Sequence, residues 1–278
     1  MGPLAEALTV RNDKAAITSY LHVGYAVWDD LIARVRRQEE KRSGGCVDEQ
    51  LWTFLLGCGY AIGRKKGVTK LTRLLTGSEY RAPTKPKIWF EVLPTPSRRR
   101  QGETHLDLAL GTIAVRPGTE SGIKLDNVES PWVSFCEMKW YSDISCSVTH
   151  DVHRNQLARV IEDALCFQAS GRYADKVHVT LVTPAAFRNV PLKSRLYRYK
   201  FEEYNANRAS LRKDLNACVL PKNKQADWSY PRDLARRVAD LSLRWVTYDE
   251  LFESLPGSPI AEELANFWRQ RGNYQGRP

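Results

Sequence analysis

The chain has 278 residues, of which 42% are hydrophobic and 27% charged, so it is long and apolar enough to bury a core without a disulfide framework, and a disordered or fibrous chain is excluded. Lys and Arg number 42 against 32 Asp and Glu, a formal charge of +10; that balance favours a polyanion, nucleic acid above all, with a merely basic surface as the plain alternative. No apolar run reaches membrane-span length, and MGPLAEALTVRNDKAA lacks the basic start and apolar core of a secretion signal, so a cytoplasmic protein with no membrane partner is expected.

Residues 14–42 have helical periodicity, with Ile17, Leu21, Val27, Leu31 and Val35 as the apolar stripe, up to a break at SGG. A second helix starts near Asp48, carries Leu51, Trp52, Leu55, Leu56 and Tyr60 on its stripe, and is closed by RKKG, cations that suit a helix C-terminus. From residue 83 the pattern turns to strands. IWFEVLP (88–94) is the first, TPSRRRQGE a loop, and HLDLALGTIAV (105–115) the second. Residues 116–131 are a long Gly- and Pro-containing connection, and PWVSFCEMKW (131–140) is the third strand. A helix, DVHRNQLARVIEDALCFQAS, follows with Thr149 or Asp151 as its cap, and KVHVTLVTP (176–184) is a fourth strand. Residues 192–217 and PRDLARRVADL (231–241) read as helical, LRWVTYDEL as a late strand and turn, and SPIAEELANFWRQR as the last helix. The expected fold is α/β, ordered helix, three strands, helix, strand, with helical additions at both ends. The expected parts are an N-terminal helical extension (1–45), a core (46–184), and a mostly helical C-terminal region with a late strand (185–278).

Six cysteines form no CxxC pair, and several lie in apolar runs such as LLGCGY and VSFCEMKW; reduced, buried thiols are expected. Cys146, His150 and His153 offer zinc-ligand types, but no fourth ligand accompanies them.

The informative feature is charge inside apolar strands. Alternation puts His105, Asp107 and Ala109 on one face of the second strand, and Glu137 with Lys139 on one face of the third, about 7 Å apart. Buried carboxylates need a partner or a metal. If the two strands are neighbours, Asp107 and Glu137 converge on a hard cation. Mg²⁺ suits two carboxylates, a backbone carbonyl and waters, and Lys139 stands beside them. The plainer alternative is a set of partnered charges at strand ends.

The Asp-bearing strand followed by Glu-x-Lys, between the two helices, resembles the PD-(D/E)XK nuclease superfamily over roughly residues 46–184. The resemblance implies a restriction-endonuclease-like core. It also implies a Mg²⁺- or Mn²⁺-dependent nuclease, with Asp107, Glu137 and Lys139 as the catalytic set and DNA ahead of RNA as substrate. It adds a helix carboxylate, for which Glu49 is the best match and Glu39 and Glu40 are rivals, and a Gln on the following helix, matched by Gln156. The metal ligands would be Asp107, Glu137 and Glu49. Leu106 stands where the motif name has Pro, and the long stretch between Asp107 and Glu137 requires an inserted hairpin or loop around 116–130. Arg98, Arg99, Arg100 and His105 are candidates for nucleic-acid contact, with RLYRYKFEEY (195–204) and Arg64–Lys66 undecided, and Glu91 is a further acidic candidate. A homodimer or a larger DNA-processing complex fits this reading. The alternatives are a non-catalytic nucleic-acid-binding module and an accessory subunit.

Overall fold

A computed structural model describes residues 3–80, 86–144, 154–189, 195–224 and 228–272. The chain opens with α1 (Pro3–Ala7), α2 (Arg11–Tyr20), β1 (Leu21–Val23), α3 (Trp28–Glu39), α4 (Glu49–Ala61) and α5 (Arg64–Thr76). Strands β2 (Ile88–Pro94), β3 (Leu106–Gly111), β4 (Ile113–Val115), β5 (Gly122–Leu125) and β6 (Trp132–Met138) follow. After α6 (Gln156–Leu165) come a small hairpin of β7 (Gln168–Ala169) and β8 (Arg172–Tyr173), then β9 (Lys176–Thr183) and α7 (Ala185–Asn189). The C-terminal part holds α8 (Leu196–Ala206), α9 (Arg208–Ala217), α10 (Leu234–Asp240), β10 (Ser242–Thr247), α11 (Tyr248–Glu253) and α12 (Pro259–Arg271).

The fold is mixed α/β. One sheet has the strand order β10-β9-β6-β3-β2-β5-β4, with β1 also paired to β2. β2, β3 and β6 are antiparallel neighbours, while β9 lies parallel to β6 and β10 parallel to β9. Every residue of β6 is buried, as expected for a central strand covered on both faces. One core gathers α1–α5, α11 and α12 with Leu108, Leu110, Cys136 and Met138; the other gathers α6 and α8–α10 with Ala109, Val133, Phe135 and Leu181. No described helix is long and apolar enough to cross a membrane. The five described cysteines are free and buried.

Several expectations change. The helix expected over 14–42 is two helices, because Leu21–Val23 leave the helix to pair with Ile88–Phe90 at the sheet. RKKG does not close the second helix. Arg64–Gly67 form the first turn of α5, a helix whose buried face is Val68, Leu71, Thr72 and Leu75. The second strand breaks at Gly111 (φ +129), and its remainder, β4, pairs with β5 as an antiparallel hairpin, which is the insertion that the long connection required. The described part of the next helix begins at Gln156, capped by Asn155, whose side chain accepts from Ala158 N; Thr149 and Asp151 lie outside the described residues. The terminal regions also feed the sheet, through β1 and β10.

Two local features position the site. α4 is buried on all sides from Leu51 to Ala61, with Trp52 packed against Trp140, Phe252, Phe267 and Trp268, so its charge is confined to the N-terminal turn at Glu49. The Asp48 side chain caps that turn by accepting from Leu51 N. In β2, Glu91 has φ +52, a conformation that costs a β-region residue of order 1–3 kcal/mol. There the pleat breaks: Phe90 and Val92 belong to different cores, as do Leu108 and Leu106 across the ladder. The strict alternation expected for HLDLALG therefore fails at Asp107. The bend is braced by β1, whose following residues Gly24 and Tyr25 donate backbone hydrogen bonds to Phe90 O and Glu91 O. A Cβ on Gly24 would sit 2.3 Å from Glu91 O. Gly24→Ala is expected to lower the denaturant midpoint by the equivalent of about 1–3 kcal/mol; an unchanged midpoint would show that the bend is not held from this side.

Candidate active site

β3 begins and β6 ends at the same edge of the sheet. The pairs Leu108↔Cys136 and Ala109↔Phe135, carried one step further, set Asp107 across from Glu137. The ladder stops there, and Asp107 Oδ2 accepts from Met138 N at 2.7 Å. Lys139 Nζ lies 2.7 Å from Glu137 Oε1 and 3.2 Å from Glu49 Oε1. Glu49 Oε2 accepts from Trp140 N at 2.6 Å and from Ser142 Oγ at 2.8 Å. Three carboxylates and one ammonium thus converge from α4, β3 and the end of β6. The four residues chosen from the sequence as Asp107, Glu137, Lys139 and Glu49 are brought together.

The electrostatics are unbalanced. Glu137 and Lys139 side chains are 1% and 5% exposed, Glu49 is 27% exposed, and Asp107 keeps partial solvent access. Burial, then the Glu137 charge, raise Asp107 well above the usual carboxylate range, against the opposing pull of Lys139 and the Met138 N–H. Burial also raises Glu137, with Lys139 opposing. Burial disfavours the Lys139 charge, but Glu137, Asp107 and Glu49 outweigh it and hold the ammonium above its ordinary value. With all three acids ionised these four groups carry a net charge of −2, with Arg159 nearby acting on Glu137, and a further cation would relieve it.

The donor set suits a divalent hard cation. Glu137 Oε1, fully buried, is paired with Lys139 Nζ at 2.7 Å and has no other hydrogen-bond partner among the described residues, so a cation there would share that oxygen with the ammonium. Among the described residues, no three His, Cys, Asp or Glu side chains form a ready-made cage. Lys139 intervenes between Glu49 and Glu137, which leaves the pair Asp107 and Glu137, with waters, as the fitting arrangement.

The remaining candidates divide. Glu39 accepts from Leu4 N and Ala5 N at the start of α1, and Glu40 is exposed at the end of α3, so neither rivals Glu49. Gln156 is half-buried on the first turn of α6, and among the described residues no hydrogen bond joins it to the carboxylates. Instead Arg159, one turn on and buried, acts on the Glu137 charge. The helical i, i+3 spacing from Gln156 was its only signal in the sequence. Glu91 lies 3.7 Å from His105 Nδ1 and is raised by burial, opposed by its Gln50 hydrogen bond and by His105. Tyr248, wholly buried, is raised well above its usual range by burial and then by Glu49, with Asp107 and Glu137 adding to it; nothing local in the sequence marks it.

Arg98 is a correction. It is 5% exposed and engaged with Glu162 at 2.7 Å, with Leu215 O and Leu220 O also accepting from it. Arg154 pairs with the same Glu162, and Ser97 and Gln101 donate to Asp163. This arginine ties the β2–β3 loop to α6 and the C-terminal segment, and its guanidinium is spent. Arg99 and Arg100 are exposed. Of the tyrosines in RLYRYKFEEY, Tyr197 and Tyr204 are core residues and Tyr199 is exposed. Arg64, Lys65 and Lys66 are exposed. His150, His153 and Cys146 lie outside the described residues.

Two outcomes test this geometry. Arg98→Ala leaves Glu162 with one cation fewer and is expected to cost about 3–5 kcal/mol in urea unfolding, whereas Arg99→Ala and Arg100→Ala stay within about 0.5 kcal/mol. Asp107 has its native value raised, so its ionisation opposes folding at neutral pH and its contribution is favourable only below the unfolded value of about 4. In chelator, Asp107→Asn should therefore raise the melting temperature by about 2–4 °C at pH 7.5, roughly 1 kcal/mol after allowance for its solvent access, and the gain should shrink toward pH 4. A loss at pH 7.5 would contradict the charge imbalance.

No protein-family model matches this chain, and no curated protein or solved structure matches it either.

Proposed function

We propose that this protein is a metal-dependent nuclease that hydrolyses phosphodiester bonds in DNA, acting as an endonuclease. The observation that carries the reading is the surplus of buried carboxylate at the meeting point of α4, β3 and β6, with Lys139 in its midst. Such a cluster is costly to bury, and a protein that only binds nucleic acid gains nothing by setting acids where a phosphate must approach. Support for a restriction-endonuclease-like core comes from the order α4, β2, β3, β6, α6, β9, with three antiparallel strands and a fourth parallel to the last of them.

Asp107 and Glu137 are the residues that would hold Mg²⁺ or Mn²⁺, while Glu49, expected as a third ligand, is turned to Lys139 and the loop after β6. When bound, the ion supplies a water of lowered pKa and charge neutralisation at the phosphate. Lys139 presents an ammonium to the attacking water and to charge developing on the phosphate oxygens. Glu49 orients Lys139 and ties the loop after β6 through Trp140 N and Ser142 Oγ. His105, two residues before Asp107, and the exposed Arg99 and Arg100 supply contacts to the strand.

The test is cleavage of supercoiled, linear and single-stranded DNA, and of RNA, in Mg²⁺ or Mn²⁺. Asp107→Ala, Glu137→Gln and Lys139→Ala should each lower the rate about 10²–10³-fold or more while leaving salt-sensitive DNA binding in place. Cleavage that survives all three substitutions sinks the centre, and binding without cleavage of any substrate favours a nucleic-acid-binding module.

A further inference from the structure

We infer that Tyr25 is a base-stacking residue that selects DNA with an unpaired base beside the scissile phosphate, an inference that rests on the nuclease reading of the same site. Tyr25 is 66% exposed, yet it is not a loose side chain. Its N–H donates to Glu91 O at 2.8 Å, and Gly24 N donates to Phe90 O at 2.9 Å. Its ring meets His105 edge to face, with centroids 4.6 Å apart and an interplanar angle of 84°. His105 in turn contacts Glu91 and stands two residues before Asp107. The ring is thus held against His105, two residues along β3's approach from Asp107, and is open to solvent. Val27, 59% exposed, and Val47, 65% exposed and next to the Asp48 cap of α4, are further uncovered apolar side chains on the segments leading into α3 and α4.

The charge of the site explains why a stacking face belongs there. With a divalent ion bound, three acids and one lysine only reach neutrality, so most of the affinity for the strand has to come from groups beside the centre. Arg98, the first cation of the neighbouring loop, is spent inside the protein. An aromatic face attracts a base without adding charge, and any base offers one. In a blunt duplex the base faces are already stacked and unavailable, so the preference is for single-stranded or frayed ends.

The test uses the full chain in Ca²⁺, a single-stranded oligodeoxynucleotide carrying 2-aminopurine, and a blunt duplex of the same sequence. Tyr25→Ala should weaken single-strand binding about tenfold, the size of one stacked base, and abolish the quench of 2-aminopurine. Duplex affinity should change less than twofold. Tyr25→Trp should keep both the affinity and the quench. Single-strand binding by Tyr25→Ala equal to wild type, or an equal loss on single strand and duplex, overturns the inference. Failure here is separable from failure of the nuclease reading. A Tyr25-dependent quench with no hydrolysis in Mg²⁺ or Mn²⁺ supports stacking and removes the nuclease, whereas hydrolysis that depends on Asp107 and ignores Tyr25 does the reverse.

Discussion

The constraint on which the rest of the molecule depends is the burial of excess negative charge at one edge of the sheet. Asp107, Glu137 and Glu49 share a single buried ammonium, and the surroundings have to hold these groups together against mutual repulsion. The sheet does so by stopping the β3–β6 ladder one step early, so that the Met138 N–H goes to Asp107 in place of a strand partner. α4 does so by burying Trp52 in an aromatic cluster with Trp140, Phe252, Phe267 and Trp268. That cluster fixes the helix axis, and with it the position of Glu49. α11 and α12, at the far end of the chain, therefore support a carboxylate cluster whose residues come from its first half.

A second, separate cluster braces the opposite side of the same edge. Arg98 and Arg154 neutralise Glu162, and Asp163 takes the Ser97 N–H and the Gln101 amide. Here the charges balance, in contrast to the carboxylate site. That difference is the physical reason the proposed chemistry is placed at the carboxylate cluster and not at this one.

The sequence showed the site better than it showed its scaffold. Glu137 and Lys139 were legible because an ExK at the end of an apolar strand has no cheap place to go, and Asp107 was legible for the same reason. Glu49 came from the resemblance alone, with Glu39 and Glu40 as rivals, until its contacts with Lys139 and Trp140 N separated it from them. What stayed hidden depends on distant partners. Arg98 reads as one of three equivalent arginines until Glu162, 64 residues on, claims it. The helix expected through Leu21–Val23 gives way because β2 offers a free edge there, which no local periodicity encodes. The left-handed backbone at Glu91 moves Val92 and Leu106 to the other core, so a reading by strict alternation misplaces them. Tyr25 carried no signal in the sequence, and its ring stands against His105.

The central claim is that the surplus carboxylate exists to hold a divalent cation. The most direct measurement is titration of the chelator-treated protein with Mn²⁺, following free Mn²⁺ by electron paramagnetic resonance, for the wild type, Asp107→Asn and Glu137→Gln. The account predicts saturable binding to the wild type that both substitutions abolish or weaken at least tenfold, with affinity rising with pH as Asp107 and Glu137 lose their protons. The absence of saturable binding to the wild type, or binding that neither substitution changes, would contradict it.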